Sequence, residues 1–181
     1  MKAIYLYPDN CFCLIAHRLP VDCYVNQLRG LSIAHSVLET ELAASDNAIV
    51  ATVWDDSLRK LSLLEEDLRF FEPRVIPDDK AVVDAALAMA EKFRLRRIEQ
   101  PETLLGGRYV FGGSTPGNCM HRPDVSKTFH LARLNGCRYY ACYNDDVKQQ
   151  WVQFSTAMKN ALADTSLHDS IIDAAHETFS G

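Results

Sequence analysis

The chain has 181 residues, 48% apolar and 24% charged, which suits one globular domain with a core of ordinary size and excludes disorder, collagen and low complexity. Nineteen Lys and Arg against 24 Asp and Glu leave a net charge of −5, which argues against a nucleic-acid binder, because neutralising phosphates needs a basic face. No run reaches the roughly 18 apolar residues of a membrane span, and the opening Met1–Pro8 is too short and interrupted for a signal peptide's apolar core, so the cytoplasm is the expected location.

Tyr24, Leu28, Leu31, His35, Leu38 and Leu42 recur at steps of four and three, the apolar stripe of an amphipathic helix. The helix opens at Leu19-Pro20-Val21-Asp22 and ends in Ala43–Asn47. Trp54, Leu58, Leu61, Leu64, Leu68 and Phe71 predict a second helix, from near Asp55 to the residues before Pro73. A third, rich in alanine, runs from about Ala81 to Ile98. Pro101-Glu102-Thr103 restarts a helix at Leu104. Val147, Trp151, Phe154, Met158 and Ala161 form a further stripe, and Leu167, Ile171, Ala175 and Phe179 the last. No β-branched run alternates over more than a few positions. The expectation is one all-α domain over 1–181, about seven helices held by helix-on-helix packing.

Leu105–Asn118 carries five of the eight glycines, Gly106, Gly107, Gly112, Gly113 and Gly117. Each costs a helix interior about 0.5–1 kcal/mol relative to alanine. Bare backbone there serves either the close approach of a second helix or a flat ligand lying against the chain. Pro116 removes a helical N–H, so the segment reads as a kinked helix or a loop of glycine turns.

The six cysteines, Cys11, Cys13, Cys23, Cys119, Cys137 and Cys142, include no CxxC pair; Cys11-x-Cys13 lacks a second half at zinc-finger spacing, and small buried or half-buried thiols are the simpler reading. At 100° per residue, His35 falls within the first stripe, with Glu39 one turn on. It is either a satisfied core histidine or a buried imidazole with a task. His121 and His130 read as surface or rim positions.

Several features share the order and spacing of one known family. They are Phe12 followed by Leu19-Pro20 and Tyr24; Leu31–Leu42 with His35, Glu39 and Glu41; Leu61–Leu68; Tyr109–Gly117; Trp151 with Phe154; and Ala174-Ala175 with Phe179. Over about Phe12–Phe179 the chain resembles the haem oxygenases. The resemblance implies an all-α domain that opens haem, at once substrate and cofactor, to biliverdin, CO and Fe2+. It uses O2 and electrons from a donor such as a ferredoxin or a flavoprotein reductase. It also implies that Tyr109–Gly117 is the glycine-rich distal helix over the haem face. Gly112, Gly113 and Gly117 would then approach the ring, with Gly113, Ser114 and Gly117 at the chemistry.

The sequence departs from that pattern. The family's proximal histidine would fall near Ile4, in a shortened first helix, and no histidine lies between Met1 and Leu14. Tyr5, Tyr7 and His17 are the nearest candidate axial ligands. Gly112, Pro116 and Asn118 replace the family's usual residues at those places. His35 matches a distal position where relatives often carry tyrosine; from there it could feed a water network or ligate iron. Lys2, Arg18, Lys127 and Arg133 are candidate partners for the haem propionates. Two other readings stay open. One is a non-catalytic haem or tetrapyrrole binder or signalling protein. The other is a di-iron oxidase drawing on His35, Glu39, Glu41, His168, Asp169, Asp173 and His176, although the angular count puts most of that set on a solvated face.

Overall fold

The computed structural model describes residues 18–163 and 165–180. Lys2, Tyr5, Tyr7, Cys11, Phe12, Cys13 and His17 lie outside the described residues. Among the described residues there are seven α-helices and no strand, the all-α architecture expected.

Helix α1 (Val21–Ala43) buries the predicted stripe Tyr24, Leu28, Leu31, His35, Leu38 and Leu42. The stripe that starts at Trp54 does not form one helix. Its first member, Trp54, closes α2 (Ala48–Val53), and the rest divides between a 3-10 turn (Asp56–Leu58) and α3 (Leu61–Phe71). Caps make the breaks. The Asn47 side chain accepts from the Ile49 and Val50 amides at 2.9 and 3.2 Å, and the Asp55 carboxylate accepts from the Ser57 amide at 2.7 Å. The third cap comes from another helix: Glu39 Oε1 of α1 accepts from the amides of Lys60 (2.8 Å) and Leu61 (3.2 Å), at the N-terminus of α3.

Asp79 caps α4 (Lys80–Glu99), and a 3-10 turn (Pro101–Thr103) leads into α5 (Leu104–Thr128). Helix α5 runs unbroken through Pro116 and Pro123, so the helical reading of the glycine-rich segment holds and the loop reading does not. Residues 129–146 hold two 3-10 turns, Tyr139–Ala141 and Asn144–Asp146, with left-handed backbone at His130, Arg133, Tyr143 and Asn144. Helices α6 (Val147–Ala161) and α7 (His168–Ser180) follow. Helix α7 buries Ile171, Ala174 and Thr178; Phe179, assigned to its core stripe from the sequence, is 65% exposed.

Helix α1 packs on α3 and α4, and α5 packs on α6 and α7. The α5–α7 crossing needs bare backbone: a Cβ at Gly106 would stand 2.5 Å from the Ile171 carbonyl oxygen and 2.8 Å from Ala174 Cβ.

Candidate functional site

Next to that crossing lies a cleft of about 770 Å3, walled by α5, α6 and α7. Gly106, Tyr109, Val110, Gly113 and Ser114 form the α5 wall. Met158 and Leu162 of the α6 side and Ile171, Ile172 and Phe179 of α7 make the facing walls apolar. The size falls within the range of small-molecule and cofactor sites, about 300–1,000 Å3. Its polar lining groups include Lys159, His168, His176, Ser155 and Ser114.

The structure divides the four residues predicted on α5. Gly113 and Ser114 line the cleft. Gly112 points elsewhere: a Cβ there would meet Phe154 at 3.2 Å and the Arg108 guanidinium at 3.4 Å. Gly117 has nothing within 4 Å of where its Cβ would be. Gly112 is turned about 100° from Gly113 and faces another way, whereas Gly117 shares the face of Gly113 one turn further along, past the residues that line the cleft.

His35 sits in the core behind this wall. Its Nδ1 is 2.9 Å from Glu39 Oε1 and its Nε2 is 3.3 Å from Tyr139 Oη, so both ring nitrogens are engaged. Phe111 covers it at a ring distance of 4.6 Å. Burial pushes the imidazole below its ordinary value, so it is neutral, with Nδ1–H donating to the carboxylate. Burial alone would raise the Glu39 carboxyl. The hydrogen bond from His35, with those from the Lys60 and Leu61 amides, outweighs that and holds it below the usual range. Tyr139 is fixed from outside: the buried Asp67 of α3 accepts from the Arg138 (2.7 Å) and Tyr139 (2.9 Å) amides. Burial holds the Tyr139 phenol well above its ordinary pKa, and the Ser114 hydroxyl donates to the Phe111 carbonyl at 3.0 Å.

Two cations are buried in the same layer. Lys60, 1% exposed, donates to the Phe111 carbonyl (3.2 Å) and to Thr115 Oγ1, both on α5. Burial, then the charge of Arg108, pulls its ammonium down to about 7. Arg108 lies over the rings of Phe154 (5.0 Å) and Trp54 (6.0 Å), and its Nε has no hydrogen-bond partner. Sequence reading missed Lys60, Arg108 and Tyr139. Lys60 falls between two elements where no periodicity speaks, and Tyr139 lies in an irregular segment 104 residues from His35.

The residues put forward for a di-iron site do not converge. Among the described residues no group of three or more His, Cys, Asp and Glu could hold a metal ion. Glu41 pairs with Arg97 (3.4 Å), the His168 ring bonds the Leu162 carbonyl (2.7 Å), and Asp169 and Asp173 are exposed. Nor are the suggested propionate partners Arg18, Lys127 and Arg133 among the described residues lining the cleft; its lysine is Lys159.

A family model described as "Heme oxygenase" matches residues 10–181. Solved structures share the fold. Haem oxygenase-1 from the cyanobacterium Synechocystis sp. PCC6803 in complex with haem has a TM-score of 0.80 at 21% identity, over 93% of this chain and 77% of that one. Haem oxygenase from Leptospira interrogans has 0.79 at 20%, over 93% and 83%. Haem oxygenase-2 from Synechocystis sp. PCC 6803 in complex with haem and NO has 0.80 at 18%, over 93% and 71%. Among curated proteins none matches the chain.

Proposed function

The chain belongs to the haem oxygenase family, and from that premise we propose that it takes haem into the α5–α6–α7 cleft and opens the ring with O2 and external electrons to biliverdin, CO and Fe2+. The observation that carries the reading is the cleft itself: an apolar cavity of about 770 Å3 with Gly113 and Ser114 on its α5 wall. The residues fit the group. Val110, Met158, Ile171, Ile172 and Phe179 offer flat apolar contact to a macrocycle. Lys159 suits a propionate. Gly113 leaves space that any side chain would fill, with Trp151 3.4 Å beyond its would-be Cβ. Tyr5, Tyr7 and His17 would be candidates to hold the iron, joined by His176, which lines the cleft and is exposed. When bound, haem supplies the iron at which O2 is activated.

This chain's own contribution is to orient and to dry the site. The apolar walls exclude water, which strengthens every polar contact inside. The bare Gly113 backbone leaves room for a small ligand, and the Ser114 hydroxyl beside it, which donates to the Phe111 carbonyl at 3.0 Å, can accept a hydrogen bond there. His35, with both nitrogens engaged behind the wall, supports this layer rather than ligating iron. We place the activity in the cytoplasm as one domain, with a ferredoxin or flavoprotein reductase as donor.

Titration of the protein with hemin tests this. Haem uptake gives a shifted Soret band, and ascorbate in air then bleaches it and yields a biliverdin spectrum. A shifted band that survives ascorbate supports the non-catalytic binder instead, which the absence of histidine between Met1 and Leu14 favours. No shift overturns both. Single exchanges at Tyr5, Tyr7, His17 and His176 locate the ligand, since the one that holds iron changes the ferric spectrum.

A further inference from the structure

We propose that Arg108, with Lys60 behind it, forms a binding site for a small monovalent inorganic anion of chloride size, on a face of α5 other than the one that lines the cleft. The site stands whatever the cleft takes.

Arg108, Gly112 and Thr115 stand at i, i+4 and i+7 of α5 and so share one face of the helix. With Tyr143, and with Gln150 and Trp151 of α6, they line a second pocket of about 10 Å3, room for a single water-sized group. Arg108 is 3% exposed, and its Nε has no hydrogen-bond partner. From the i+4 place a carboxylate could pair with it. That place holds Gly112, where a Cβ would stand 3.4 Å from Arg108 Nη1. Lys60 reaches the same pocket from behind. Its Nζ donates to Thr115 Oγ1 and lies 5.6 Å from the centre of the Tyr143 ring.

Two cations in one buried layer call for a counter-charge. Glu39, the carboxylate whose charge both feel, is already held by His35 and by the Lys60 and Leu61 amides. Lys60 can answer by shedding its proton, and burial with the charge of Arg108 brings it to about 7. A guanidinium cannot, so Arg108 keeps its charge. The rings of Phe154 and Trp54 meet part of it. A water could accept from Nε but would leave the charge unmatched, whereas a small anion meets both needs. Room for one water-sized group does not admit phosphate or sulfate. The titratable and charged groups around Lys60 are Arg108 and Cys119 of α5, His35 and Glu39 of α1, and Cys142 and Tyr143 before α6. Burial raises both thiols and the Tyr143 phenol and lowers His35, so Lys60 is the one among them that titrates near pH 7. The anion favours its charged form and is held more tightly below that pH.

Sodium chloride exchanged against sodium gluconate at constant ionic strength tests the site, because gluconate screens equally and is too large to enter. Chloride should broaden its own 35Cl NMR line in the presence of the full chain. It should also raise the thermal midpoint by about 3–5 °C once it reaches tenfold its Kd. Both effects should vanish in Arg108→Met, which keeps bulk and removes charge. They should vanish too in Gly112→Asp, which supplies a carboxylate one turn from the guanidinium. Circular dichroism checks that the variants fold, and if Arg108→Met does not, Gly112→Asp decides alone. Chloride affinity should fall severalfold from pH 6 to pH 9 in the wild type and stay level in Lys60→Met. No chloride effect in the wild type, one that persists in the folded variants, or a wild-type affinity that ignores pH overturns the proposal.

Discussion

At Gly106 an added methyl would sit 2.5 Å from a backbone oxygen of α7, and backbone cannot rotate out of the way. At Gly117, in the same helix, it would meet nothing within 4 Å. The two substitutions should therefore have opposite signs. Gly106→Ala is expected to lose about 1–3 kcal/mol through overpacking. Gly117→Ala is expected to gain about 0.5–1 kcal/mol, because alanine loses less backbone freedom in a helix. Urea unfolding of the two variants checks both. Lys60 makes a pH prediction. Its folded-state pKa, about 7, lies below the ordinary lysine value of 10.5, so between these the unfolded chain binds more protons. The sign follows: the Lys60 contribution to stability is unfavourable below about pH 7 and improves as pH rises from 7 towards 10.5. Lys60→Met should remove that rise. The difference in unfolding midpoint between wild type and variant, measured at pH 6 and pH 9, is expected to move in the wild type's favour at pH 9; a difference flat with pH would refute it.

Asp67 acts between elements. It joins α3 to the turn that carries Tyr139 by satisfying two amides. Burial raises its carboxyl to about 6, and the two N–H bonds oppose the rise. Asp67→Ala leaves both amides without their acceptor, at about 1–3 kcal/mol for each that stays buried and unpaired. Loss of protection for Arg138 and Tyr139 amides in hydrogen exchange should accompany it. The element scale also shows what sequence periodicity can reach. The α1 stripe was legible because all its apolar positions obey one helical rhythm against one core. The rhythm from Trp54 to Phe71 is equally regular, yet two caps cut it, and one of them comes from Glu39, 21 residues upstream. A cap donated across the fold leaves no local signal. Phe179 kept the period of α7 but faces the cleft instead of the core, since periodicity names a face and not what lies against it.

At the scale of the whole molecule, the cleft exists because α5 and α7 touch at bare backbone and α6 closes the third side. Hemin that fills it should stabilise the native state by about 2.7 kcal/mol at free ligand a hundredfold above Kd. Gly113→Leu should abolish that gain while leaving apo stability nearly unchanged, since Gly113 is exposed. Thermal unfolding of both proteins with and without hemin reads it; a full shift in the variant would move the ligand elsewhere. The cleft's α5 wall could be found in the sequence, from glycines that a helix would otherwise reject. Lys159 and the Tyr139–His35 pairing could not, because they depend on tertiary contacts alone, and His176, which the sequence offered only for a di-iron set, lines the cleft instead.

The indole of Trp151 stands 3.4 Å from the place a Cβ would take on Gly113 and packs at a tilt against Tyr109, whereas Trp54 is held elsewhere beneath Arg59. Of the chain's two tryptophans, Trp151 is the one packed against the Gly113 stretch of the cleft wall. A porphyrin arriving there would darken Trp151, so emission alone can time its entry and departure without a label.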